Sequence, residues 1–160
     1  MKRIRVDKGN LVFYILIDNE DWDLLSQYKW NVTGPGYAIT CKKVFGSIIM
    51  HRIIMKAKKG QQIDHINGNK LDNRKKNLRF CTYTQNRCNM GPQLGRKGKK
   101  SRFKGVSLRT DIKIVSWMAR IVIYGKVKNL GCHRTEEAAA KAYNKAAKIY
   151  HGEFAYLNKI

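Results

Sequence analysis

The chain has 160 residues, enough for one ordinary domain or two small ones, and carries 33 Lys and Arg against 11 Asp and Glu, a net charge of +22. An imbalance of this size implies a polyanionic partner, with nucleic acid ahead of a membrane surface. No apolar run is long enough to cross a bilayer, and the basic N-terminus lacks the apolar core of a signal peptide. Four scattered cysteines, Cys41, Cys81, Cys88 and Cys132, form no Cys-x-x-Cys pair, which argues against a structural zinc site and a disulfide framework and for a reduced, cytosolic protein.

The charge is unevenly placed. Residues 1–50 hold seven basic and five acidic side chains, residues 51–90 ten and two, and residues 91–160 sixteen and four. Contact with a polyanion therefore belongs to the middle and the C-terminal part.

In chain order, residues 2–6 and 11–17 read as strands, LVFYILI being the clearest. Asp18 with Glu20 and Asp21 predicts a helix N-terminus, and Leu24, Leu25 and Tyr28 give that helix one apolar face. Trp22 and Trp30 are expected in the core of a small sheet that needs bulky fillers. After the Gly34-Pro35-Gly36 turn, Tyr37 to Cys41 and Val44 to Met50 predict a hairpin. His51 follows in Met-His-Arg and is read as a structural histidine, a brace or a phosphate contact, outside the catalytic set. Lys56, Lys58 and Lys59 then form a basic run that ends at Gly60.

The stretch from Ile63 to Asn89, IDHINGNKLDNRKKNLRFCTYTQNRCN, is the densest in chemistry. An apolar strand ends at Asp64-His65, a loop rich in Asn, Gly and Asp follows, Leu78 to Cys81 reads as a second strand, and Thr82 three residues before Gln85 starts a helix. This order could gather Asp64, His65 and Asn86 around one point while Asn77 pins the loop from behind. A carboxylate and an amide oxygen are hard donors suited to Mg²⁺, and a neutral imidazole beside them can take a proton from water near neutral pH. Singly, each residue fits an Asn-rich turn that caps its own backbone equally well. The four together, in this order, favour phosphodiester hydrolysis. Arg74, Lys75, Lys76, Arg79 and Arg87 surround the site, and Arg74, Arg79 and Arg87 are candidate DNA contacts.

Residues 90–101, MGPQLGRKGKKS, read as a basic linker. Beyond it, Phe103 to Arg109, Val115 to Tyr124 and a third strand ending at Leu130-Gly131 predict a three-stranded sheet. By alternation Trp117, Ala119, Ile121 and Ile123 share one face of the middle strand, and Met118, Arg120, Val122 and Tyr124 the other. Lys126 and Lys128 fall on the side of Leu130. Thr135 caps a helix whose buried stripe is Ala139, Ala142, Tyr143, Ala146, Ala147 and Tyr150, with Lys141, Lys145 and Lys148 outside and Gly152 placed to end it.

Asp64-His65, Asn77 and Asn86 resemble the HNH endonucleases, in particular the phage and intron-encoded homing type, and IDNEDWDLL, YKW, GYA and MHR resemble the N-terminal part of phage HNH proteins. The resemblance implies that Asp64 and Asn86 bind one divalent metal, that His65 is the general base and that Asn77 braces the loop. FKGV, WMARI, LG, EEAAAKAY, KAA and GEFAYLN resemble the APETALA/ethylene-response-factor DNA-binding domain over nearly all of residues 102–158. That resemblance implies a sheet in the DNA major groove with the helix behind, and carries contact roles onto Lys104, Arg109 and Arg120. Ser107 and Asn129 stand where that family often has Arg and Trp, so its target sequence does not transfer.

The resulting expectation is an α+β chain. A small N-terminal β-sheet with a ββα-metal HNH core spans residues 1–89, the linker spans 90–101, and a three-stranded antiparallel sheet packed on one helix spans 102–160. The expected function is a metal-dependent, site-specific homing DNA endonuclease using Mg²⁺ or Mn²⁺. It would act as a monomer on double-stranded DNA, in the cytoplasm of a phage-infected bacterial cell, with no membrane partner and no small-molecule cofactor. The alternative is a sequence-specific DNA-binding regulator with a non-functional nuclease remnant.

Overall fold

A computed structural model of the chain describes residues 1–42, 46–92, 101–110 and 116–160. The alternating N-terminal segments pair as an antiparallel hairpin, β1 (Lys2–Lys8) and β2 (Leu11–Ile17), with Lys2 opposite Ile17 and Lys8 opposite Leu11. Ile15 and Ile17 are fully buried, as are Leu25 of the short helix α1 (Trp22–Ser26) and Met50. Each such aliphatic side chain removed from water stabilises the fold by about 1.5–3 kcal/mol. Trp30 is buried and its indole N–H donates to the Leu25 carbonyl at 2.8 Å, whereas Trp22 is only half buried, with the Lys2 ammonium 4.5 Å from its ring centre.

A second antiparallel sheet has the order β3 (Asn31–Val32), β4 (Ala38–Lys42), β5 (Gly46–Ile49). The Val44 end of the expected hairpin lies outside the described residues. Helix α2 (Met50–Ile54) follows directly, where the sequence reading placed only the end of a strand. Five residues are too few to show a helical period, but Met50 and Ile54, one turn apart, both enter the core. Strands β6 (Gln62–His65) and β7 (Leu78–Cys81) pair antiparallel, with Asp64 opposite Arg79 and His65 opposite Leu78, and lead into helix α3 (Tyr83–Asn89).

The chain divides into two compact units, Met1–Tyr83 and Thr84–Ile160, so the division falls one residue inside α3. Most of the expected linker lies outside the described residues.

The second unit contains the sheet β8 (Val106–Arg109), β9 (Ser116–Ile123), β10 (Lys126–His133), with β9 in the middle, and helix α4 (Glu136–His151) packed on one face. The strand expected from Phe103 begins three residues later; Phe103 is buried in the core instead. Gly105 lies between them at φ +75, where a Cβ would overlap the Tyr143 ring and the Arg120 carbonyl. Ala119 and Ile121 face α4, Arg120 and Val122 face away, and Lys128 pairs with Ile121 on the helix side, as alternation requires. The third strand runs past Gly131 to His133 because the pairing shifts between Asn129 and Cys132; the extra residue returns Cys132 to the open face opposite Met118.

Thr135 caps α4, its hydroxyl accepting from the Ala138 N–H at 3.1 Å, a contact worth about 1 kcal/mol. The Glu136 carboxylate accepts from the Ser101 hydroxyl (2.7 Å) and the Arg102 N–H (3.1 Å), fixing the start of the helix. Ala139, Ala140, Tyr143, Ala146 and Ala147 form the buried stripe. Tyr150, expected in it, is 41% exposed, and its hydroxyl accepts from Lys128 at 2.6 Å.

Candidate active site

β6 ends in two buried polar residues, which is costly unless their polar atoms are satisfied. Asp64 is satisfied across the strand pair: its Oδ2 accepts from Arg79 Nε at 3.0 Å and Nη2 at 2.8 Å. His65 turns its Nε2 toward the Asn73 amide oxygen at 3.4 Å. Its ring also stands edge-on to His51, centroids 5.1 Å apart and planes at 80°, and Tyr37 lies 5.7 Å from His51 and 6.2 Å from His65.

This three-ring cluster is desolvated, and the titrations follow. Burial first, then the neighbouring His65 and Arg52, push His51 down to about 4. Burial also lowers His65 below the ordinary histidine value, against the raising influence of Asn73, Asp64 and Asp72. Burial and the Asp64 charge raise Tyr37. His65 is therefore a neutral imidazole at neutral pH, able to accept a proton.

The loop between the strands is built on its own side chains. Asn67 and Asn69 accept from the backbone N–H groups two residues on (2.8 and 3.1 Å), so the Asn-rich turn is a genuine backbone-capping turn as well. Asn77 clamps the loop: its Nδ2 donates to the Asp72 carbonyl at 2.7 Å, and its Oδ1 accepts from the Asn67 N–H at 3.0 Å. Asp72 is gripped by Arg74 through two bonds of 2.7 and 2.6 Å and by Asn67 at 3.0 Å. The Arg74 guanidinium, first among these, holds the Asp72 carboxyl below the usual range. The loop is also sewn to β2, Leu16 donating to Leu71 and accepting from Asn73, both at 2.8 Å.

Asp64, His65 and Asn77 thus share one short strand-and-loop unit. Asn86 lies on α3 and counts with the second unit, half buried. There the end of α3 is held by Lys104, whose ammonium donates to the Arg87 and Cys88 carbonyls at 3.1 and 2.6 Å, and by the Tyr156 N–H on the Cys88 carbonyl at 3.3 Å. Lys104 is itself fixed by Asn158, which bonds both its N–H (2.7 Å) and its carbonyl (3.1 Å). Of the basic residues expected to contact DNA, Arg74 and Arg79 are paired with carboxylates and Lys104 sits on a helix end. Arg109 and Arg120 stand on the open face of the sheet, Arg120 donating to the Ser107 hydroxyl at 3.2 Å and Arg109 reaching the Cys132 sulfur at 3.7 Å. Arg87 is exposed on α3.

The sequence reading did not single out Tyr37, Asp72 or Asn73, and set His51 aside. Asp72, two residues before an arginine, carried a faint pairing signal; the ring cluster carried none, because its members come from three separate parts of the chain, the turn before β4, α2 and β6.

No three His, Cys, Asp or Glu side chains come together among the described residues. A carboxylate and an amide oxygen are hard donors, suited to a cation that keeps several waters. The Asp64 carboxylate and the Asn86 amide oxygen are donors of that kind.

Residues 49–88 match the family model described as HNH endonuclease. The chain is also 33% identical over 159 residues to a protein described as an uncharacterized HNH endonuclease from Acanthamoeba polyphaga mimivirus, covering 96% of this chain and 77% of that protein. No solved structure matches it. The family model falls on the strand, loop and helix that carry Asp64, His65, Asn77 and Asn86, while the viral relative extends the likeness over nearly the whole chain; on both grounds the chain belongs to the HNH endonucleases, nucleases that hydrolyse phosphodiester bonds.

Proposed function

We propose that the chain is a site-specific DNA endonuclease of the homing type, with His65 as general base and Asp64 and Asn86 as donors to one divalent cation, Mg²⁺ or Mn²⁺. The observation that supports this best is the desolvated His65 imidazole beside the Asp64 carboxylate at the end of β6, its ring packed on His51. His65 removes the proton from the attacking water as oxygen bonds to phosphorus and the bond to the leaving oxygen breaks. Asn73 and the His51 ring orient it, and Asn77 keeps the loop from sliding. A bound cation supplies charge stabilisation at the phosphate and leaving oxygens.

The C-terminal sheet is the proposed DNA reader, of the APETALA type by resemblance. Its open face presents Ser107, Arg109, Arg120 and Asn129, and Arg120 has no carboxylate partner among the described residues. Base-edge contacts from that face would select the site, and phosphate contacts from Arg74, Arg79 and Arg87 would position the nuclease part. The expected domains remain residues 1–89 and 102–160, acting as a monomer in the cytoplasm of an infected cell.

A plasmid-nicking assay with Mg²⁺, with Mn²⁺ and with chelator tests the reading. The expected outcome is cleavage that requires a divalent ion and stops with chelator while DNA binding persists. Undiminished cutting in chelator would end the one-metal mechanism. Tight binding of a selected site without any cutting would make the chain a regulator.

A further inference from the structure

The strands β9 and β10 are joined by two residues, Tyr124 and Gly125, the last cross-strand pair being Ile123 with Lys126. Both turn residues have positive φ, 48° and 79°. This is the pattern of a type I′ turn, whose first position favours Asn or Asp and whose second favours Gly. Gly125 fits its position. Tyr124 does not, since a bulky side chain with its backbone left-handed is strained.

Packing does not offset that strain. Tyr124 is 93% exposed and makes no hydrogen bond or ring contact among the described residues. Next to it on the face away from α4, Val122 and Val127 stand directly opposite each other, 54% and 63% exposed. The following pair on that face is Arg120 with Asn129, and Lys126 is exposed beside the turn. An uncovered aromatic and two uncovered valines thus extend a face whose charged members among the described residues, Arg109 and Arg120, are cationic, in the part of the chain with sixteen basic residues against four acidic.

We propose that this turn is an apolar contact to duplex DNA, in which the Tyr124 ring and the Val122–Val127 pair lie against sugar and base-edge carbon, thymine methyls included, beside phosphates met by Arg109 and Arg120. The proposal rests on the reading of the C-terminal sheet as the DNA-binding face. Flanking cations fit the alternation of apolar base edge and phosphate along a groove better than an uncharged protein surface. The strained tyrosine then has a physical account: an aromatic is kept where the turn alone favours Asn because the ring serves the ligand and not the fold.

The test uses the full-length protein, a short fluorescein-labelled duplex as probe, anisotropy at several salt concentrations, and melting curves. Tyr124→Asn relieves the turn and removes the ring. It is expected to melt higher, by roughly 2–4 °C, yet bind DNA at least about fivefold more weakly, the scale of one aromatic contact to nucleic acid. The salt dependence of binding stays as in wild type, because no ion is displaced by a ring. Tyr124→Phe is expected to keep wild-type affinity. Arg120→Ala serves as the control for the face as a whole. A Tyr124→Asn variant that binds like wild type while Arg120→Ala binds weakly overturns the role of the turn and leaves the sheet as reader. Wild-type binding by both overturns the turn and the reader together. A Tyr124→Asn variant that melts below wild type overturns the strain argument, since the ring would then be supporting the fold.

Discussion

His65 differs from a surface histidine because burial has already removed the water that would stabilise its cation. His65→Ala should retain fold and DNA affinity and lose about 10²–10⁴-fold in single-turnover rate, the usual worth of a general base. With its pKa lowered, the acid limb of the wild-type rate should lie below about 6.5, the ordinary histidine value; a limb at or above it would contradict the desolvated base. His51 extends the argument to stability. Its folded value of about 4 lies under its unfolded value, so the unfolded chain binds the extra proton between the two. Its contribution is complete above the unfolded value and is lost as the pH falls toward 4, on the order of 3 kcal/mol for the full displacement. Melting temperature followed from pH 7 to pH 4 should fall for wild type and fall less for His51→Phe, which keeps the ring and cannot be charged. At this scale the sequence was legible for the residues whose chemistry is local to the motif. Tyr37, His51 and Asn73 were not, because only the folded chain brings them to His65.

Among elements, the loop between β6 and β7 has most at stake, because one side chain closes it. Asn77→Ala leaves the Asp72 carbonyl and the Asn67 N–H without their partner, each at a cost of about 1–3 kcal/mol if buried. Melting temperature and nicking rate should fall together, in contrast to His65→Ala, and Asn77→Asp should restore neither, having lost the donor to Asp72. Elements with a long period or a strong punctuator could be read in advance: β2 from its aliphatic run, α4 from Thr135, its alanines and Gly152. Those set by tertiary context could not. Helix α2 is shorter than two turns, β8 starts late because Gly105 must pass under Tyr143, and Leu130 and Cys132 face opposite sides only because of the bulge at Gly131. Alternation places side chains reliably until an extra residue enters the strand.

For the whole molecule the charge sets the physics of association. With +22 overall, affinity for a random duplex should fall steeply between low and moderate salt, and a flat dependence would argue against phosphate contacts as its main source. Residues 102–160 include Lys104 and Tyr156, which hold the end of the helix bearing Asn86. Their deletion is therefore expected to abolish site selection and to depress metal-dependent nicking too; a truncated chain that nicks plasmid at the full-length rate would show that α3 stands without them. The same arrangement bears on retargeting. Anyone grafting a foreign DNA reader onto this nuclease would be inclined to cut in the basic stretch after Met90, where the sequence looks expendable. The graft would arrive without the ammonium that fits the Arg87 and Cys88 carbonyls, so a transplant that reads its new site well would still cut poorly. Lys104 and the Tyr156–Asn158 clasp bracket the whole C-terminal sheet and helix, so retargeting is better sought by substitutions on the open face of the sheet than by exchanging the unit.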